Sequence, residues 1–272
     1  MSYTPMQLAE VFIKTGELSD ALDALNKQLV VEPNDNNARR LRVSVLLRLD
    51  KPEHFQAALT DLQQLSDGSA DDYVQQSVIY ERMNQIDESI KAMQEAHHLS
   101  PDGERILERL VDLLTHKKRY DEVLDLLQNA PQTWRWFMRQ ADIHTLKNNP
   151  TEALVALNLA QAHLETVFPD LLSPVSRNTM AQIHVARGQV HMKLDNLKDA
   201  EKDFKDALYH IPDDATILFN LGLIFARRDM LARAERSCKK AFKNASPYIR
   251  QMLIDVLNGD EQYKILREKL GL

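Results

Sequence analysis

A spacing of 34 residues recurs towards the C-terminal end of the chain and restricts the possible folds more than any other feature. Gly188 and Gly222 lie 34 residues apart, and each is followed twelve residues later by an alanine. Further small or apolar residues follow at matching positions, namely Phe204 and Ala207 in the first segment and Cys238 and Ala241 in the second. Small residues at such spacings mark close packing of two helices, so we expect Gly188, Gly222, Ala200, Ala207, Ala234 and Ala241 to be buried. The period predicts helical hairpins that stack, because one hairpin cannot bury its apolar face alone.

Less regular copies of this pattern can be followed back to the N-terminus. Gly16 is expected to end the first helix, and Ser19 or Asp20 to cap the second. The fifth copy is long and contains an insertion over residues 169–174. The predicted organisation is seven repeats, 2–35, 36–69, 70–103, 104–133, 134–180, 181–214 and 215–248, followed by capping helices in residues 249–272.

The two clearest copies resemble the tetratricopeptide repeat family. They share its Gly, Ala, Ala and Pro positions, and the last copy also has its Leu and its aromatic residue: Leu221-Gly222, Phe225, Ala234, Ala241 and Pro247. The resemblance implies an all-α fold, an α-solenoid in which helical hairpins form a right-handed superhelix with C-terminal capping helices. It also implies a non-enzymatic scaffold or adaptor that binds a peptide or helix of another protein in its concave groove.

The amino-acid composition agrees with a helical protein, and the net charge disfavours some classes of partner. The 272 residues include only 7 Gly and 10 Pro, whereas β-rich folds need many turn residues. The formal net charge of −6 gives the chain no overall attraction for nucleic acid or anionic membranes, although residues 181–272 carry a net charge of +3. No apolar stretch is long enough for a membrane span, and no signal peptide is recognisable, so a cytoplasmic protein is expected unless a cleaved leader is missing.

Candidate chemistry is sparse, and neither an enzyme nor a cofactor is predicted. His184 and His191 share one helix face and could hold a metal only with a third ligand, so they are interpreted as core or partly buried histidines. Cys238, the single cysteine, is interpreted as a small buried hydrophobe. Of Trp134 and Trp136, which point to different sides of one helix, one is expected to pack and one to be exposed.

Arginines recur at the positions that line the groove of the proteins this chain resembles. Arginine forks bind carboxylates well, so an acidic or C-terminal carboxylate group of a partner protein is the expected ligand. The predicted groove residues are Arg40, Ser44, Gln75, Arg105, Arg109, Arg135 and Arg139, on one continuous wall.

Two other interpretations stay open. Arg105 with Glu108, Arg109 with Asp112, and Arg139 with Asp142 are three residues apart and could pair with each other on a solvated helix face. The chain could also be an RNA-binding or regulatory repeat protein, or one segment of a larger protein. Net acidity and the lack of interleaved basic and aromatic residues in the groove make nucleic acid the less favoured ligand.

Overall fold

The computed structural model describes residues 3–171 and 173–272, and within them it contains sixteen α-helices and no strand. About 80% of the chain is helical, which confirms the predicted all-α class. Ser2, where the first predicted repeat begins, and Leu172, within the predicted insertion, lie outside the described residues. None of the described helices is both long and apolar enough to cross a membrane.

The chain divides into two compact units. The first unit, Met1–Arg119, contains α1 to α7, and each pair from α1 to α6 is a hairpin of consecutive helices. Their bounds are α1 Pro5–Thr15, α2 Leu18–Val31, α3 Asn36–Leu49, α4 Pro52–Gln63, α5 Ala70–Arg82, α6 Ile86–Leu99 and α7 Glu104–His116.

The second unit, Tyr120–Leu272, begins with α8 and continues with three hairpins, α9 with α10, α11 with α12, and α13 with α14. Two further helices follow the last hairpin, separated by a 3₁₀ turn at Glu261–Tyr263. The bounds are α8 Tyr120–Gln128, α9 Trp134–Leu146, α10 Pro150–Val167, α11 Pro174–Lys193, α12 Leu197–His210, α13 Ala215–Arg227, α14 Leu231–Asn244, α15 Pro247–Asn258 and α16 Lys264–Leu270.

A residue with left-handed backbone conformation separates the two helices at seven places along the chain. Left-handed φ suits Gly, and among other residues Asn and Asp adopt it most readily. Six of the seven residues are Gly, Asn or Asp, and the seventh is a lysine: Gly16, Asp50, Asn84, Lys118, Asn148, Asp195 and Asp229. A single left-handed residue therefore lies in the turn at each of these places, although the helices on either side differ in length.

The ends of the first two helices correct one prediction and confirm another. Gly16 ends α1 with φ of 85°, as expected for a C-terminal glycine. Neither Ser19 nor Asp20 caps α2, because α2 already begins at Leu18 and places both residues within its first turn. Glu17 occupies the capping position without a side-chain hydrogen bond, so the predicted cap was placed two or three residues too late.

Small residues lie where the helices of a hairpin approach each other, as predicted. A side-chain carbon placed on Gly188 would lie 3.1 Å from the ring of Phe204, which shows how closely α11 and α12 pack. The six small residues expected at such contacts are all buried: Gly188, Gly222, Ala200, Ala207, Ala234 and Ala241.

Ala207→Leu is expected to lower the free energy of unfolding by about 1–3 kcal/mol. Ala207 has no exposed surface and lies in the same core cluster as Phe204, so a larger side chain must displace its neighbours. Chemical denaturation of the variant and the parent measures the difference. Ala162→Leu, on an exposed position of α10, is the control, and an equal effect at both sites would contradict the assigned packing.

Candidate partner-binding face

Ion pairs link α3, α5 and α7 of the first unit. Arg40 of α3 binds Asp72 of α5 at 2.9 Å, and Arg109 of α7 forms an ion pair with Glu81 of α5. These contacts place α3, α5 and α7 side by side, because each pair joins two helices that are not consecutive in the chain. The predicted groove residues of the first unit therefore lie on neighbouring helices.

Arg40 has almost no donor left for a partner. Its Nε and Nη2 bind both carboxylate oxygens of Asp72 at 2.9–3.2 Å, and its Nη atoms bind the carboxylate of Asp67 at 3.0 and 3.3 Å. These hydrogen bonds raise the pKa of Arg40, first through Asp72 and then through Asp67. Arg40 thus holds α3, the α4–α5 connection and α5 together, a role that its position in the sequence did not indicate.

Three of the other predicted residues carry polar groups that are available for binding. Ser44 and Arg105 are exposed and Gln75 is half-buried. Within the described part of the chain, none of the three side chains has a hydrogen bond or ion pair. They present a hydroxyl, an amide and a guanidinium on α3, α5 and α7, respectively.

Arg109 lies one turn after Arg105 and is half-exposed, with 49% of its side chain accessible. Its hydrogen bond to Glu81 raises its pKa, and the charge of Asp112 adds to the effect. The main partner is therefore on the preceding first helix rather than three residues away on α7. One guanidinium edge remains for a ligand, since the contact to Glu81 uses Nη2.

The remaining predicted residues lie on α9 in the second unit. Arg135 is exposed and stacks on the ring of Trp134, with its guanidinium carbon 5.3 Å from the ring centroid. Arg139 is half-buried, and both arginines make further contacts. Trp136 is buried, as expected for one of the two tryptophans, but Trp134 is partly buried and not exposed as predicted for the other. The continuous wall that would join these arginines to the first unit stays a prediction.

A buried polar cluster in the second unit was missed by the sequence analysis. Asp203 of α12, with 3% of its surface exposed, accepts hydrogen bonds from Arg187 at 2.7–3.1 Å and contacts His184 at 3.3 Å. Arg187 also donates to Asn158 and Gln161 of α10, so the cluster joins three helices. Burial would raise the pKa of Asp203, but the hydrogen bonds from His184 and Arg187 outweigh it and hold the pKa below its usual value.

The same cluster contains carboxylates close enough to His184 to serve as further metal ligands. His184, Asp203 and Asp206 offer ligand atoms within 4.8 Å of one another. However, the Arg187 guanidinium lies 3.1 Å from His184 Nδ1 and already neutralises the Asp203 carboxylate. A fixed positive charge in this place disfavours a cation, and it explains why the carboxylate can be buried. His184 is buried and His191 partly buried, as the sequence predicted.

Cys238 behaves as the predicted buried hydrophobe. Its side chain has no exposed surface, and burial raises the pKa of its thiol to about 12. A thiol with such a pKa is protonated at neutral pH and is a poor nucleophile. Its sulfur fills the space above Gly222 of α13.

Comparisons with known proteins confirm the resemblance drawn from the repeat pattern. Residues 185–248 match the tetratricopeptide repeat family model. No curated protein sequence matches the chain. Similar solved structures have low sequence identity, and therefore they support the fold alone.

Three of these structures illustrate the likeness. The C-terminal part of a TPR repeat-containing protein from Cytophaga hutchinsonii has a TM-score of 0.62 and 13% identity, and the match covers 91% of this chain and 97% of that chain. The structure of Naa15/Naa10 bound to HypK-THB has a TM-score of 0.61 and 16% identity, and the match covers 99% of this chain and 39% of that chain. YrrB, described as a TPR protein with an unusual peptide-binding site, has a TM-score of 0.50 and 15% identity, and the match covers 75% of this chain and 99% of that chain.

Proposed function

We propose that the protein is a non-enzymatic scaffold or adaptor that binds an acidic segment or a C-terminal carboxylate of another protein on the first helices of its N-terminal unit. The observation that carries the proposal is the set of available polar groups on three adjacent helices, Ser44 on α3, Gln75 on α5 and Arg105 on α7. Stacked repeats commonly use such a surface to bind an extended segment of a partner.

The charges on this face suggest how a carboxylate would bind. Arg105 and Arg109 are one helical turn apart, so both guanidinium groups can approach one acidic group. Arg105 needs no rearrangement to bind, whereas Arg109 would share its charge between the ligand and Glu81. Ser44 and Gln75 would accept or donate hydrogen bonds to the peptide backbone.

Arg40 enters this proposal as a positioning residue. Because Asp67 and Asp72 neutralise its charge, we expect it to fix the spacing of α3 and α5 rather than to contact the ligand. In the second unit, Arg135 and Arg139 are proposed to contact an acidic group of the partner from α9, with Trp134 supporting Arg135.

Two of the similar structures are consistent with this kind of role. One is described as having a peptide-binding site, and the other was solved as a complex of protein chains. Their low identity means that the proposal rests on the residues of this chain and not on those of its neighbours.

Arg105→Ala/Arg109→Ala is expected to weaken binding of an acidic peptide by about tenfold or more, because each charge-assisted hydrogen bond contributes about 1.5–3 kcal/mol. The measurement is fluorescence anisotropy with a labelled octapeptide rich in Asp and Glu that ends in a free carboxylate. An amidated copy of the peptide shows whether the terminus itself is recognised.

Lys27→Ala/Lys91→Ala is the matched control, since both lysines are exposed on second helices of the same unit. Circular dichroism should show that both double variants stay folded. The proposal is wrong if the parent protein does not bind the peptide. It is also wrong if the parent and Arg105→Ala/Arg109→Ala bind the peptide with equal affinity.

A further inference from the structure

The solvent face of α14 is almost entirely basic. Seven residues of this helix are exposed, and five of them are Lys or Arg while none is acidic: Ala232, Arg233, Arg236, Lys239, Lys240, Lys243 and Asn244. Glu235, the only acidic residue of the fully described helix, lies at the edge of this face and pairs with Lys239 at 2.7 Å. A solvated helix usually mixes both signs of charge, so this face differs from an ordinary surface.

The exposed face of α12 adds three lysines and one aromatic ring. Lys198, Lys202 and Lys205 are exposed, and Asp199 is the one exposed acid of this helix, all of which the structure describes. Tyr209 is 83% exposed, which is unusual for a large ring on a helix. It contacts His210 edge to face, with the ring centroids 5.3 Å apart, and most of the ring stays open to solvent.

Three contacts show that α12 and α14 run side by side in the same direction. Arg228, just before α14, forms an ion pair with Glu201 near the start of α12. At the other end, Asp213 just after α12 pairs with Lys240, and its carbonyl accepts a hydrogen bond from Asn244 at 2.8 Å. This register places Tyr209 level with the turn of α14 that carries Arg236 and Lys240. The ring therefore lies at the same level along the two helices as these two cations.

Five of the cations on this face have no carboxylate partner. Lys205, Lys239 and Lys240 are engaged with Glu201, Glu235 and Asp213. Within the described residues, no ion pair reaches the others, which are Lys198, Lys202, Arg233, Arg236 and Lys243. Arg233 lies over the ring of Phe225, and Arg236 donates from Nε to the carbonyl of Ala232, but no carboxylate neutralises the charge of either. The five like charges repel one another until an anion binds.

The scarcity of apolar side chains on this face favours one class of partner over the others. An interface with a folded protein has an apolar core, and an anionic membrane surface is bound with inserted apolar side chains. Tyr209 is the only exposed large apolar side chain that α12 and α14 contribute, and both helices are fully described. Single-stranded nucleic acid needs only cations for its phosphates and a flat ring on which a base can stack.

We propose that this face, formed by α12 and α14, binds a short stretch of single-stranded nucleic acid. Tyr209 stacks on a base, and Arg233, Arg236 and Lys243 bind phosphates along about 15 Å of α14, a length that fits a few nucleotides. The net negative charge of the whole chain does not reveal this surface, because five of the seven exposed residues of α14 are basic and none of the seven is acidic. The site is separate from the partner-binding face of the first unit.

The test uses a fluorescein-labelled twelve-nucleotide oligouridylate and the full chain, titrated at several salt concentrations. Arg233→Gln/Arg236→Gln/Lys243→Gln should weaken binding by at least about tenfold at low salt and reduce the slope of log affinity against log salt by about 2, because each single-strand phosphate contact contributes about 0.7. Tyr209→Ala should weaken binding by about fivefold or more, while Tyr209→Phe should bind like the parent because it keeps the stacking ring.

Lys14→Gln/Lys27→Gln/Lys91→Gln is the matched control, since it removes the same charge from exposed positions of the first unit. A poly-glutamate of equal length and vesicles with anionic lipid replace the oligonucleotide in parallel titrations. No binding of the oligonucleotide, binding that ignores both Tyr209 and the triple variant, or tighter binding of poly-glutamate or vesicles overturns the proposal. Circular dichroism of each variant separates loss of binding from loss of structure.

Discussion

Asp203→Ala is expected to lower the free energy of unfolding by about 3–5 kcal/mol, the range typical of breaking a buried ion pair from one side. Asp203 is the only carboxylate that pairs with Arg187 among the described residues, and both lie between packed helices. Its removal leaves a guanidinium with little access to water and no carboxylate, and its remaining polar neighbours are Asn158, Gln161 and His184. Chemical denaturation measures the loss.

Asp199→Ala is the control for this experiment, because it removes an exposed carboxylate from the same helix. We expect its effect to stay within about 0.5 kcal/mol. If Asp203→Ala lowered the free energy of unfolding no more than Asp199→Ala, the buried ion pair of Asp203 would contribute nothing to stability, which would contradict the prediction.

The lowered pKa of Asp203 also fixes the direction of a pH effect. A carboxyl group whose pKa is lower in the folded protein than its ordinary value of 3.8 contributes stability above that value. This contribution is lost as the pH falls through the folded-state pKa. The parent should therefore lose stability below about pH 4 more steeply than Asp203→Asn, which has no proton to gain at this position. Parallel curves for the two proteins would contradict this assignment.

Gly222→Ala is expected to have the second largest effect, a loss of about 3 kcal/mol or more in the free energy of unfolding. A side-chain carbon on residue 222 would lie 2.4 Å from the sulfur of Cys238, far inside normal contact, and the carbonyl of Ala234 lies 3.3 Å away. Helices α13 and α14 would have to separate to accept it. Thermal or chemical unfolding of the purified variant gives the size of the loss.

Removing the sulfur should restore much of this loss, since the clash is with one atom. We expect Gly222→Ala/Cys238→Ala to be more stable than Gly222→Ala, with a favourable coupling of about 1–3 kcal/mol between the two sites. Gly188→Ala offers a comparison, because its nearest neighbour is the ring of Phe204 at 3.1 Å, which can shift more easily. A double variant no more stable than the single one would show that the backbone contact dominates.

The sequence predicted the parts of this molecule that repeat. Gly188, Gly222 and the alanines that follow them have partners at fixed spacing, so their burial follows from the pattern once a helical hairpin is assumed. The left-handed residues Gly16, Asp50, Asn84 and Lys118 also recur at intervals of 34 residues, although only Gly16 was predicted to end a helix.

The ion pairs of Arg40, Arg109 and Asp203 could not be predicted, because they do not recur at the repeat spacing. Arg40 meets Asp67 and Asp72 only because the connection between α4 and α5 brings carboxylates 27 and 32 residues away to its guanidinium. Asp203 gives no sequence signal either, since an acidic residue on a helix is usually exposed. Local pairing within α7 was the expected alternative for Arg109, but its side chain reaches Glu81 on the preceding first helix instead.

The hairpin organisation has a consequence for how the chain folds. Within each unit, the most extensive contacts join helices that follow one another directly, such as α5 with α6 and α13 with α14. Forming them requires only short loops to close, so the entropy lost before the first favourable contact is small. Folding can begin in any one hairpin and spread to its neighbours, and an added or deleted hairpin should alter the number of such steps without raising the barrier of the first.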